Sequence, residues 1–291
     1  MNRQSNRIGL GAIGPAAWAA FQWRLLLLWL LGLALPTAIV ALPLWRALAA
    51  QLDTTMHVGE LARHFDSLAI GDLVPVISKS SSLIGASGLL AMIIVVLMSP
   101  LLTGLSVAAI RAQRRLGFGE LIHGGLSEYG RLFRLLLWAI VPLGAALALG
   151  GVAMHVAGKN ADAAILASQV DRARYIALFI AALLFVFAHA SVEAARAQFA
   201  ADATLRSAIR AWWRGLKLVL RRPLAMLGTY LIVAAIGLGI AAVLGVWRIG
   251  IAHASLGGFL LALLATQLIA MCIGWMRSTR LFAFAEIARR N

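Results

Sequence analysis

Leu25 to Trp45 reads LLLLWLLGLALPTAIVALPLW, 21 residues without a charge, held between Arg24 and Arg46. About 20 residues of helix, rising about 1.5 Å each, cross a hydrocarbon core. A backbone in that medium has no water to bond, so it must pair its own N–H and C=O groups as a helix. Five further runs follow the same rule. Lys79 and Arg111 enclose 31 uncharged residues, Arg134 and Lys159 enclose 24, and Arg174 and Glu193 enclose 18. Arg222 and Arg248 enclose 25, and Arg248 and Arg277 enclose 28. The pattern predicts an all-α, polytopic six-helix transmembrane bundle, with spans at about 25–45, 83–110, 135–154, 175–195, 224–247 and 255–276.

Composition points the same way. Of 291 residues, 62% are hydrophobic and 13% charged, with a mean hydropathy of +0.90. A soluble domain keeps about a quarter of its residues charged. The apolar excess excludes a disordered chain, and the single cysteine, Cys272, excludes a disulfide-stapled secreted one. Cys272 falls inside the sixth span, where it reads as a small packing residue.

The 26 basic residues set the expected orientation. Nineteen fall in the N-terminus, the connectors 111–134 and 196–223, and the tail 277–291. The other seven share their side, which includes the loop 46–82, with six of the eleven acids. By the positive-inside rule the richer side is cytoplasmic, with both termini there and 46–82 outside. A pI near 11.7 therefore reflects juxtamembrane charge facing anionic headgroups, and nucleic acid is not an expected partner. The segment MNRQSNR leads into a first helix of spanning length with no clear cleavage site, so it reads as a retained anchor. The whole chain, 1–291, reads as one membrane domain, suited to a bacterial inner membrane.

Two spans leave the membrane in nearly the same words. Ser106-Val107-Ala108-Ala109-Ile110-Arg111-Ala112-Gln113 aligns with Ser191-Val192-Glu193-Ala194-Ala195-Arg196-Ala197-Gln198, and the sixth span exits at Arg277. Aromatic-basic runs follow the first two exits, Tyr129 to Arg134 and Trp212 to Lys217. Three parallel helical hairpins are predicted. Parallel repeats recur in transporters, with sites near the midplane; the signature of mitochondrial carriers is absent. Gly237, Ala241 and Gly245 at four-residue spacing predict a close helix approach, and Pro36, Pro43, Pro100 and Pro142 mark candidate kinks.

The connector 199–222, FAADATLRSAIRAWWRGLKLVLRR, carries the most functional information. Leu205, Ile209, Trp212, Trp213, Leu216 and Leu220 recur at helical spacing, flanked by Arg206, Arg210, Arg214, Lys217 and Arg221, and Asp202 or Thr204 can cap the start. That is the pattern of a helix in the membrane interface. The expected partners are membrane lipids and a cytoplasmic protein such as an ATPase subunit, and RSTRLFAFAEIARR reads as a shorter helix of the same kind. His189 and Glu193, four residues apart in the fourth span, form a candidate ion or proton relay, because ionisable groups at that depth face a cavity or a partner; an ion pair of Glu193 with Arg196 is the structural alternative.

Two weaker patterns complete the set. Asp53, His57, Glu60 and His64 share one stripe of a predicted amphipathic helix in the outer loop, with zinc-ligating side chains but little prospect of convergence from one helix. Gly85-Ala86-Ser87-Gly88 and the His253 segment open the second and sixth spans, and resemble the GxSG serine and the histidine helix of rhomboid proteases. That resemblance implies a Ser87–His253 nucleophile and base. The rhomboid serine belongs on the fourth helix, however, and the family's other motifs are missing. No phosphate-cradling glycine loop, HExxH or CxxC is present, so no cofactor is expected.

Over nearly its full length the chain is similar to uncharacterised six-helix bacterial inner-membrane proteins like the membrane domain attached to some glycerophosphodiester phosphodiesterases. The similarity rests on the outer loop after a proline-broken first helix, on ATLRSAIRAWWRGLKLVLRRP and on WMRSTRLFAFAEIARR. The phosphodiesterase catalytic domain is absent. The resemblance implies a non-enzymatic, permease-like or scaffold subunit in transport or envelope lipid handling.

Overall fold

The computed structural model describes residues 11–52, 81–112, 114–162, 167–251 and 255–290. Among the described residues the chain is helical, without strands. The helices are α1 (Ile13–Ala20), α2 (Trp23–Leu52), α3 (Ser81–Ala112), α4 (Phe118–Asp162), α5 (Ala167–Ala201), α6 (Ala208–Arg221), α7 (Pro223–Ile249) and α8 (Leu256–Arg289). Six of them, α2 to α5, α7 and α8, are long and apolar enough to cross a membrane. Pro36, Pro43, Pro100 and Pro142 lie inside α2, α3 and α4, which continue through them.

Each spanning helix outruns its uncharged stretch. The largest excess is in α4, whose 45 residues extend roughly 65–70 Å, about twice the hydrocarbon thickness. Its first part is the 118–134 connector, fused to the third span. The beginning of α4 is fixed by Glu120, the third helical residue, whose side chain accepts the Gly117 N–H at 2.8 Å, one half of a capping box. Arg114 holds the other carboxylate oxygen at 2.6 Å; that charge-assisted bond, with the field of Glu120, raises the Arg114 pKa further.

The chain forms two compact units. One takes Met1–Ala20, Thr103–Val233 and Ser278–Asn291, the other Phe21–Leu102 and Ala234–Arg277. Among its described residues the second unit is mostly apolar and presents Leu90, Ile93, Leu238, Phe259 and Leu260 outward, as a lipid-facing surface does. Its helices approach closely at Gly237, where an added Cβ would sit 2.6 Å from Met276 Cγ. Gly245 has nothing within 4 Å, so of the two glycines in the predicted small-residue seam only Gly237 makes a close approach. Cys272 packs beside it, its thiol donating to the Gly237 carbonyl at 3.3 Å.

The first unit has the denser core, built on Val107, Leu135, Phe199, Met226, Phe284 and Ile287. It also overturns one expectation. The segment 277–291 is not a surface helix: α8 continues unbroken to Arg289, and Ser278, Thr279, Arg280, Leu281, Phe284 and Ile287 are all buried. Of its basic residues Arg280 is buried, while Arg277, Arg289 and Arg290 keep exposed positions, Arg290 in a surface pair with Glu286.

Candidate functional site

The repeated words of the sequence meet in the first unit. Ser106 of α3, Ser191 of α5 and Ser278 of α8 are each 1% exposed. The Ser106 and Ser278 hydroxyls bond to each other at 3.1 Å. Ser191 donates to its own helix at Ala188 and accepts the Trp212 indole N–H at 3.1 Å. Small side chains here permit close helix approach without an unpaired polar group.

Three polar links close a ring around these helix ends. Arg289 of α8 donates to the Ile110 carbonyl of α3 at 3.2 Å. Arg111 of α3 donates to the Phe199 carbonyl of α5. Glu193 of α5 faces Arg280 of α8 at 3.9 Å. Both carbonyls lie in the last turn of their helices, where they lack intrahelical partners and carry the negative end of the dipole.

Glu128, absent from the sequence-level candidates, is the centre of the first connector. Only 5% exposed, it pairs through one oxygen with Arg111 at 2.6 Å and with Arg131. Arg131 also donates to the Ala203 and Leu205 carbonyls at 2.8 and 3.1 Å. Glu128 thus holds two arginines that together satisfy the end of α5 and the turn after it. The only sequence signal was an acid three residues before Arg131 on the side crowded with cations.

His189 and Glu193 reach their partners by separate routes. The His189 ring nitrogen Nδ1 lies 3.1 Å from the Tyr230 hydroxyl of α7. Glu193, 4% exposed, accepts from Arg196 at 3.0 Å. The Arg280 guanidinium connects the two, 4.8 Å from the Tyr230 ring centroid and ion-paired with Glu193. The structure therefore contains a sequence of contacts, His189, Tyr230, Arg280, Glu193, across α5, α7 and α8. Tyr230 and Arg280 were not legible in advance.

The basic helix α6 starts later than expected. Ser207 is the cap, its hydroxyl accepting the Arg210 N–H at 3.4 Å. Asp202 instead builds the preceding turn, accepting the Thr204 N–H and hydroxyl at 2.9 and 2.6 Å and pairing with Arg214 at 2.9 Å. Those bonds, the Thr204 hydroxyl first, hold the Asp202 carboxyl below the usual carboxylate range. Leu205 lies before the helix and is buried.

Three sectors run along α6. Ala211, Gly215, Leu218 and Val219 are buried, and Gly215 packs so closely that an added Cβ would lie 2.6 Å from the Ala195 backbone nitrogen. Ile209, Trp213 and Leu220 are more than half exposed and, with Leu216, form a second apolar stripe. Arg210, Arg214, Lys217 and Arg221 fill the remaining exposed sector, with Lys217 over the Trp213 ring at 5.3 Å. Trp212 leaves the predicted interfacial face and stacks edge-on against Trp138 at 5.9 Å.

Ser87 is buried and its hydroxyl donates to the Ile84 carbonyl of its own helix at 2.8 Å; His253 is outside the described residues. Asp53, His57, Glu60 and His64 are also outside them. Among the described residues no cluster of three metal-ligating side chains occurs.

These features define a multi-pass helical membrane protein, with six helices able to span and, among the described residues, its buried charge in one unit. Comparison with protein-family models, curated proteins and solved structures returns no match for the chain.

Proposed function

We propose that the chain is a non-enzymatic subunit of a bacterial inner-membrane assembly, permease-like or scaffold-like, acting in transport or envelope lipid handling, with both termini cytoplasmic. The carrying observation is α6. One face packs into the first unit, while an apolar stripe and a row of cations remain uncovered. An apolar stripe beside cations suits an interfacial helix, with Trp213 among lipid and Arg210 and Lys217 toward headgroups or an acidic protein. The buried acids do structural work, each neutralised by two arginines. Native mass spectrometry of the chain extracted from its own membrane tests the subunit role. A stoichiometric partner that dissociates on replacing Arg210 and Lys217 with glutamate supports the reading, and a chain that always emerges alone sinks it.

A second reading, an autonomous proton- or ion-coupled transporter using His189 and Glu193, is favoured by the His189–Tyr230 bond and the Arg280 bridge. Tyr230→Phe removes that bond while keeping the ring. Proton flux into vesicles that falls in this variant supports a relay, and unchanged flux removes it.

A further inference from the structure

An open groove of about 600 Å³ lies in the first unit, between α4 and the start of α6, lined by Arg134, Leu137, Trp138, Arg206, Ser207 and Ile209. Its chemistry is divided. Arg134 and Arg206 supply two positive charges, and neither forms an ion pair among the described residues; Arg134 uses only its Nε, donating to the Gly130 carbonyl at 3.1 Å. Leu137 and Ile209 form an apolar margin, more than half exposed.

The depth of the groove follows from the sequence. Arg134 is the last charge before the 24 uncharged residues of the third span, so the groove sits where hydrocarbon gives way to headgroups. From Leu137 the exposed apolar surface continues down α4 through Ile140 and Val141.

We infer that this groove is a seat for an anionic phospholipid. The headgroup phosphate is held between the Arg134 and Arg206 guanidinium groups, whose planar forks suit phosphate geometry. The Ser207 hydroxyl and the unsatisfied N–H groups of the first turn of α6 add donors on the same side. One acyl chain lies along Leu137, Ile140 and Val141. Two uncompensated cations select a net negative lipid over a zwitterionic one. The inference needs only the membrane embedding and does not depend on a subunit or transport role.

The test is native mass spectrometry of the full chain in mild detergent, titrated with phosphatidylglycerol or phosphatidylcholine of the same acyl length. The expected result is preferential retention of one phosphatidylglycerol, weakened roughly tenfold for each arginine removed in Arg134→Gln and Arg206→Gln. Lys159→Gln, at the far end of α4 and outside the groove, keeps the wild-type retention. Arg206→Gln alone suffices should the double variant fail to fold, because Arg206 lies in the segment before α6. Equal retention of both lipids, or by the arginine variants, overturns the inference. Glycerol 3-phosphate at millimolar concentration separates the sources: if it displaces phosphatidylglycerol, the groove reads a free phosphate and the lipid assignment fails.

Discussion

The two connectors on the arginine-rich side solve one problem differently. Each must lead the chain from the end of one span to the start of the next. The first, 118–134, continues into the third span as one helix and adds to a close approach at Gly124 a fastening by charge, through Glu128 with Arg111 and Arg131. The second, α6, is cut off from α7 at Arg222, which has left helical geometry at φ −133° and ψ 58°. Pro223 is the cause, since a proline disfavours helical backbone at the residue before it and fits the first position of the next helix. With no buried acid, α6 is held by close packing at Gly215 and by the Asp202–Arg214 pair at its surface. A continuous helix transmits its position to the span rigidly, whereas a separate helix is free to present three different sectors.

The sharpest way to break this contrast is at Glu128. Glu128→Ala leaves Arg111 and Arg131 without their counter-charge, and the cost, about 3 kcal/mol for a largely buried pair with partly exposed arginines, should appear as a lowered unfolding temperature in detergent. Gly215→Ala comes next. It forces a methyl against the Ala195 backbone and should cost about 2 kcal/mol by overpacking. Gly130→Ala in the other connector has nothing within 4 Å and should be neutral or stabilising by up to about 1 kcal/mol. If both glycines respond alike, the packing account of the second connector fails.

Spin labels sharpen the comparison without changing stability. In a Cys272→Ala background, a label at Trp213 or Leu220 should be quenched more by oxygen and one at Arg210 or Lys217 more by an aqueous nickel complex. Uniform accessibility around α6 would remove its lipid-facing sector. The smallest effect belongs to Asp202. Its folded-state pKa is depressed, so its contribution is present above the unfolded value of about 3.9 and disappears as pH falls through the folded value. Asp202→Asn should lower the melting temperature slightly at neutral pH, with the difference vanishing in acid. Solvent screening keeps the effect small.

How far each feature was legible depends on the range of the interaction behind it. Glycine spacing marked a seam at 237–245 but not which glycine is used, because a close approach depends on what the neighbouring helix brings, here Met276. Capping was misjudged because Asp202, Thr204 and Ser207 all qualify chemically, and only the bonds of Asp202 to Thr204 and Arg214 release the cap to Ser207. The tail reads as amphipathic by itself; its burial follows from α3 and α5, whose ends it completes.

By itself the sequence determined the six spanning helices, the side on which charge accumulates, and the amphipathic character of α6, because uncharged length and residue period are local properties that the bilayer reads directly. The Glu193–Arg196 pair was legible at three-residue spacing; tertiary structure alone decided the distant partners, Glu128 with Arg111, Glu193 with Arg280, and the uncharged Ser106 with Ser278. A buried charge must be neutralised at short range, and in most of these pairs the groups are brought together by packing from positions far apart along the chain.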